Sequence, residues 1–219
     1  MNNVIKCILI DLDGTLIDSG PDLIDSLNFV LKKQKLKTIN KNIVGGLVGG
    51  GAQSMIERAY KFLDHEIPNK KMNHLIEDFL EFYYKNCDKK SQLYPYVLET
   101  LKNLKPKVKL ALCTNKKQFL TEKIVKSFKI KKYFDYILGS STTLKLKPDV
   151  EMLEYCMKKC AVVPENCLMI GDSDNDIIPA NKLSMTSIFV NYGYGQLNKS
   201  IKPDFVINSF DGILKIINN

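Results

Sequence analysis

Val4-Ile-Lys-Cys-Ile-Leu-Ile10 runs straight into Asp11-Leu-Asp-Gly-Thr15. A short apolar run rich in Ile and Val that stops abruptly at a polar turn reads as a buried strand, and Gly14 marks the turn after it. The same shape recurs along the chain. Val108–Cys113 leads into Thr114-Asn115, Tyr136–Leu138 into Gly139-Ser-Ser141, Cys167–Ile170 into Gly171-Asp172, and Thr186–Val190 into Asn191-Tyr-Gly193. Asp204–Ile207 is a weaker sixth case. Helical patterns lie between these runs. Pro95–Leu104 sets Val97, Leu98, Leu101 and Leu104 on one face, with Pro95 suited to a first turn. Phe119–Phe128 and Asp149–Lys159 look similar, the second opened by Pro148, and Asn175–Asn181 is a shorter helix with Pro179 near its start. Strands alternating with helices predict an α/β fold, a doubly wound parallel sheet covered on both faces.

The segment from Pro21 to Asn86 breaks the alternation. It offers no strand, while Asp22–Lys35 is amphipathic, with Leu23, Leu27, Val30 and Leu31 on one side, and Ala52–Leu63 and Asn73–Lys85 follow suit. The expected organisation is an α/β core over residues 1–17 and 87–219, with an all-helical domain over 18–86 inserted after the first strand. The chain shows no internal repeat and no low-complexity tract.

Bulk properties narrow the function classes. The 219 residues have the apolar and charged fractions of an ordinary globular protein. No apolar run approaches the ~20 residues needed to cross a bilayer. The opening Met1-Asn-Asn-Val-Ile-Lys6 does not read as a secretory signal, and the expected location is the cytoplasm. The six cysteines (Cys7, Cys87, Cys113, Cys156, Cys160 and Cys167) form no Cys-x-x-Cys pair and match no zinc spacing, so they read as reduced structural thiols. Net charge is +8, but the lysines are scattered and Arg58 is the only arginine. Readers of nucleic acid draw on arginine's bidentate fork, so a solvated lysine-rich surface is the expectation, one that also attracts small phosphorylated anions.

Polar residues gather where the apolar strands end. Ligands of an open parallel sheet bind beyond the strands' carboxyl ends. That rule puts Asp11, Asp13, Thr114, Asn115, Ser140, Asp172 and Asp176 along one rim. Asp11-x-Asp13 can present two carboxylates to one metal ion if the chain bends at Gly14, and Gly171-Asp-Ser-Asp-Asn-Asp176 adds more. Clustered carboxylates repel one another without a cation, and an oxygen-only site suits Mg2+. His65 and His74 lie far in sequence from these motifs and read as surface or boundary residues. Phe79, Phe82, Tyr83 and Tyr84 read as core of the helical domain. Ser140 and Ser141 have no histidine to pair with, which leaves a serine nucleophile unsupported.

Taken together, Asp11-Leu-Asp-Gly-Thr-Leu-Ile-Asp-Ser19, Thr114-Asn115, Lys147-Pro-Asp149 and Gly171-Asp-Ser-Asp-Asn-Asp176 resemble, in order, the four motifs of the haloacid-dehalogenase-like phosphatases. The resemblance covers nearly the whole chain. It implies a Rossmann-like core with a small helical cap, and a phosphatase. Asp11 would be the nucleophile that carries an aspartyl-phosphate, and Asp13 the acid and base. Asp11, the main-chain carbonyl of Asp13, and Asp172 would hold Mg2+. Thr114, Asn115 and Lys147 would bind phosphate, and Asp176 would orient waters or Lys147. Lys147 rather than Lys145 matches the lysine motif. Asp174 stands where relatives often carry Arg or another polar residue, and no role is assigned to it.

Within the insert, Val44-Gly-Gly-Leu-Val-Gly-Gly-Gly-Ala52 resembles the cap loop of the phosphoglycolate phosphatases, as does Asn191-Tyr-Gly-Tyr-Gly195 later in the chain. Two readings of the loop stand. Gly49, Gly50 and Gly51 offer N–H groups to an anion such as a substrate carboxylate, or they form a flexible helix–helix turn. Arg58 likewise either binds a carboxylate or sits on the cap surface. The expected function is hydrolysis of a small phosphorylated metabolite, 2-phosphoglycolate first, by a monomer or homodimer. The alternatives are pyrophosphate, a sugar phosphate or a nucleotide as substrate, phosphomutase activity at the same site, or a catalytically silent protein that binds nucleic acid or a partner.

Overall fold

The computed structural model describes residues 4–40, 43, 45–68, 70–141 and 143–217. Residues 1–3 of the opening segment and Val44 of the glycine-rich stretch lie outside the described residues. The chain divides into two compact units, Met1–Asp18 with Leu93–Asn219, and Ser19–Gln92.

In the first unit, β1 (Cys7–Ile10), β4 (Lys109–Lys117), β5 (Tyr136–Ser140), β6 (Cys167–Gly171), β7 (Thr186–Val190) and β8 (Phe205–Ile207) form one sheet in the order β5-β4-β1-β6-β7-β8. Every pairing in it is parallel. A separate ladder joins β2 (Ile17–Asp18) to β3 (Gln92–Leu93), two short strands that hydrophobic patterning does not reveal. The central strand β1 is buried along its whole length because helices cover both faces of a parallel sheet, which is why it reads Cys-Ile-Leu-Ile without alternation. Ladder bonds extend one residue earlier, from Lys6 N to Asn166 O and from Lys109 N to Lys6 O. Helices α4 (Val97–Leu104), α5 (Gln118–Ser127), α6 (Glu151–Cys160) and α7 (Asp174–Lys182) alternate with the strands. Cys7, Leu9, Cys113, Cys167 and Met169 of the sheet cluster with Met152, Cys156 and Cys160 of α6. Small, polarizable side chains fill the gap between strand and helix there, and all six cysteines are buried and outside any disulfide.

Several local expectations are corrected. Pro95 lies outside α4: Tyr94 N bonds Leu16 O and Val97 N bonds Tyr94 O, so the chain turns at Tyr96 (φ 65) before the helix begins. Leu98 is exposed, and Thr100 joins Val97, Leu101 and Leu104 on the buried face. Pro148 precedes α6 by a turn closed by Asp149 N on Leu146 O, and Pro179 sits inside α7 rather than near its start. Most relevant to function, β4 does not end at Cys113. It slips register between Cys113 and Lys117 and pairs again at Lys117 with Ser140, and such bulges re-aim side chains at a sheet's rim.

The second unit is helical: α1 (Gly20–Lys33), α2 (Gly51–Phe62) and α3 (Met72–Asn86). Phe29 of α1 stacks on Phe82 of α3 at 4.4 Å, and Lys33 pairs with Asp78 at 2.6 Å. Phe79 and Tyr83 are buried as expected, but Tyr84 points to solvent. His65 is exposed, and so is His74, which stands 3.7 Å from Asp78. Asp22, buried in the first turn of α1, accepts N–H bonds from Lys90 (3.0 Å) and Ser91 (2.8 Å) and the Ser91 hydroxyl (2.7 Å). This carboxylate ties the start of the unit to its end, and it also lies at the positive end of the helix dipole. Asp22→Ala strands two backbone donors, so a loss of about 2–4 kcal/mol is expected in urea unfolding, with Asp22→Asn between it and the native chain.

Candidate active site

The strand order places β1 between the first strands laid down to either side of it. Such a switch point opens a crevice at the carboxyl ends of its strands. Asp11 follows β1 there, with its N–H on Ile170 O of β6 at 3.0 Å, and Asp172 follows β6. Past Asp11 the chain folds back at once: Leu16 N and Ile17 N both reach Leu12 O, and Gly14 N reaches Ile17 O. Gly14 has φ +81 and carries no side chain for a reason of space, since a Cβ would stand 2.0 Å from Asp172 Oδ2. A Cβ on Gly193 would meet the same oxygen at 2.5 Å. That oxygen accepts N–H bonds from Tyr194 (3.2 Å) and Gly195 (2.8 Å). The Asn191–Gly195 stretch thus forms a backbone wall around Asp172.

Lys147 lies at the heart of the crevice, its side chain 1% exposed. Its ammonium donates to Asp11 Oδ1 (2.9 Å), Asp176 Oδ1 (2.6 Å) and Cys113 O (2.7 Å), which accounts for its three protons. Lys145 is exposed and pairs with Glu151 at 3.0 Å. The backbone of Lys147 is held by Asn115, whose amide donates to Lys147 O (2.7 Å) and accepts from Lys147 N (2.9 Å). Asp176 is oriented by the capping box of α7: its Oδ2 accepts from Ser173 N (3.2 Å) and Ser173 Oγ (2.9 Å). Thr114, buried in the β4 bulge, accepts Lys116 N–H at 3.2 Å on its hydroxyl oxygen. Ser140 is buried at the end of β5 and Ser141 is exposed. Asp174 accepts the Asn198 N–H at 2.8 Å, so its carboxylate braces the 196–198 loop.

One charged residue escaped the sequence reading. Lys116 is buried, and its ammonium stands 2.9 Å from Asp13 Oδ2. The only written signal is its place directly after Thr114-Asn115, and its neighbour Lys117 is exposed, so composition cannot tell the two apart.

Asp11, Asp172 and Asp176 each offer an oxygen within 4.8 Å of the others. Burial, with the charge of Asp176 and Asp13 added, pushes the Asp11 carboxyl up to about 7 against the downward pull of Lys147. Burial and the charges of Asp176 and Asp11 likewise hold Asp172 well above the ordinary carboxylate range. Burial acts against the Lys147 ammonium, but Asp11 and Asp176 outweigh it and keep it charged. A buried, oxygen-only group of three carboxylates is able to hold a metal ion.

The sequence pattern of the haloacid dehalogenase-like hydrolases matches residues 8–190. The chain belongs to this family. Within it, the chain is 35% identical over 215 residues to a phosphoglycolate phosphatase of Colwellia psychrerythraea, with 95% of each chain covered. It is 33% identical to a phosphoglycolate phosphatase of Agrobacterium fabrum, covering 92% of this chain and 88% of that one. The crystal structure of a predicted phosphoglycolate phosphatase from Haemophilus somnus superposes with a TM-score of 0.90 at 33% identity, over 97% of both chains. As a haloacid dehalogenase-like hydrolase, the chain carries the family's α/β core on the six-stranded sheet.

In the helical unit, Gly49 and Gly50 before α2 and Gly51 at its first position all have positive φ. Arg58 of α2 turns back on this loop and donates to Leu47 O (3.1 Å) and Gly49 O, while its Nε is buried without a partner.

A carboxyl raised in the folded state favours folding while protonated. That contribution is present below the ordinary carboxylate range and is lost as pH climbs through about 7. A divalent cation bound by the ionised group reverses the loss. The rise in melting temperature on adding MgCl2 is therefore expected to be larger at about pH 8 than at about pH 5, and to shrink in Asp172→Asn.

Proposed function

We propose that this chain is a Mg2+-dependent phosphomonoester hydrolase that acts through an aspartyl-phosphate on a small phosphorylated metabolite, 2-phosphoglycolate first. The observation that carries the reading is the pairing of buried Asp11 with buried Lys147 at the switch point of the sheet, with Asp172 beside them. The relatives named phosphoglycolate phosphatase support the substrate. In this reading the α/β unit is the catalytic core and residues 18–86 the cap.

Asp11 attacks phosphorus with a carboxylate oxygen as the bond to the ester oxygen breaks, and Asp13 gives that departing oxygen its proton. Asp13 then takes a proton from water, whose oxygen attacks the same phosphorus. The bond to Asp11 breaks, inorganic phosphate leaves, and both carboxyls return to their starting states. Lys147 balances the charge of Asp11 and of the phosphoryl oxygens, and its tether to Asp176 and Cys113 O fixes where that charge lies. With its oxygen already accepting from Lys116 N, the Thr114 hydroxyl has its hydrogen to donate to a phosphoryl oxygen, and the Asn115 main chain assists. Asp11, Asp172 and the main-chain carbonyl of Asp13 would hold the Mg2+, which supplies positive charge where carboxylate and phosphate would otherwise repel. Within the helical unit, the N–H groups of Gly49–Gly51 are candidates to bind an anion such as a carboxylate, with Arg58 holding the loop in shape. Six buried thiols outside any disulfide support a reducing, cytoplasmic setting.

Phosphate release from 2-phosphoglycolate, a sugar phosphate, a nucleoside monophosphate and pyrophosphate in the presence of Mg2+ tests the proposal. Turnover is expected to be fastest on 2-phosphoglycolate, to stop with EDTA, and to return with Mg2+. Asp11→Asn is expected to lose about 10³-fold or more in kcat. Robust turnover by that variant rejects the nucleophile, and turnover of the other esters alone rejects the substrate.

A further inference from the structure

Lys116 is a buried cation with no part in the scheme above. Its side chain is 4% exposed, and its ammonium stands 2.9 Å from Asp13 Oδ2. Burying an ammonium is costly unless it is paired, so its position inside the crevice demands an explanation. The backbone leaves it little choice. Lys116 lies in the bulge of β4 between Cys113 and Lys117, its N–H bonded to Thr114 Oγ1 (3.2 Å) and its carbonyl accepting from Thr121 Oγ1 (3.3 Å). Gly139 of β5 packs so tightly there that a Cβ would lie 2.8 Å from Lys116 O. With its backbone held by α5 and β5, the lysine side chain has a fixed origin from which to reach Asp13.

The two buried lysines divide the carboxylates between them. Lys147 takes Asp11 and Asp176, while Lys116 takes Asp13. The Asp13 side chain is 21% exposed, in a segment that folds back on itself within four residues of the strand end, where an isolated bridge to Ile17 holds its backbone. An unrestrained side chain would have to be ordered in each turnover, and a misplaced proton donor loses much of its effect.

We propose that Lys116 is a positioning residue for Asp13: its ammonium holds Oδ2 of the carboxyl group, so that the other oxygen, which carries the proton, is turned toward the departing ester oxygen. This inference rests on the acid–base role assigned to Asp13 above. It predicts a dependence on the leaving group that a merely structural lysine would not produce.

Three substrates separate the possibilities. 2-Phosphoglycolate and 2-hydroxyethyl phosphate both release an alkoxide that needs a proton, but only the first carries a carboxylate. p-Nitrophenyl phosphate releases a phenolate that leaves without one. In Lys116→Met and Lys116→Gln, the ratio of alkyl to aryl turnover is expected to fall about 10- to 100-fold, mainly in kcat, and Lys116→Arg is expected to restore most of it. Circular dichroism melts establish that each variant is folded, and the arginine variant, which keeps the charge, remains informative if the neutral ones are not. Asp13→Asn is the reference and is expected to lower the same ratio further. An unmoved ratio in folded Lys116 variants, with a fallen one in Asp13→Asn, overturns the inference and leaves the proposed function standing. An unmoved ratio in Asp13→Asn overturns the acid–base assignment and the inference with it. A loss confined to 2-phosphoglycolate makes Lys116 a ligand of the substrate carboxylate, and the inference fails.

Discussion

The buried ammonium of Lys147 is the contact on which the acidic crevice depends. Asp11, Asp172 and Asp176 bring three carboxylates within 4.8 Å of one another, a grouping that like-charge repulsion and desolvation both oppose. Lys147 spends all three of its protons on acceptors drawn from three different places: the end of β1, the middle of β4 just before its bulge, and the first turn of α7. Removing one partner from such a buried pair costs about 3–5 kcal/mol, so these separate ends of chain are bound into one site by a single side chain. Burial first, and the charge of the neighbouring carboxylates after it, raise the Asp11 and Asp172 carboxyls despite the ammonium. Such a group of carboxylates can accept a cation, and phosphoryl transfer uses one.

Backbone geometry does much of the remaining positioning. Asp172 is held by N–H groups of Tyr194 and Gly195 and crowded by Gly14 and Gly193, so its freedom is limited by main chain. Asn115 exchanges two hydrogen bonds with the backbone of Lys147, and Ser173 fixes the second oxygen of Asp176. Such contacts lock rotamers of charged groups without adding charge, which suits a site that works by electrostatic preorganisation. The bulge of β4 serves the same end, since without its register slip Thr114, Asn115 and Lys116 would continue the strand's alternation in place of lining the rim.

The helical unit follows a different logic. Its stability comes from stacked aromatics between α1 and α3, from the Lys33–Asp78 pair, and from Asp22 joining its two ends. Arg58, the one arginine of the chain, is engaged with carbonyls of the glycine loop. Its guanidinium therefore shapes that loop, whatever else it meets.

Much of this could be read from the letters because it follows from local pattern. A fully buried parallel strand reads as a near-continuous apolar run, so β1 and β6 announce themselves, and the carboxylates that follow them mark the rim. Asp11, Asp172, Asp176 and Lys147 were nameable from motifs alone, and they are the residues the fold gathers. Other features depend on contacts between residues far apart in sequence, and no local period encodes those. The burial of Lys116 and the exposure of Lys117 turn on a register slip set by β5. The exposure of Leu98 and the late start of α4 follow from a turn tied to Leu16. The tether of Asp172 comes from a loop more than twenty residues away. Sequence specifies which side chains are available and which strands are buried. Which charge faces which is set by packing, because Coulomb energies and desolvation depend on distances that only the assembled chain defines.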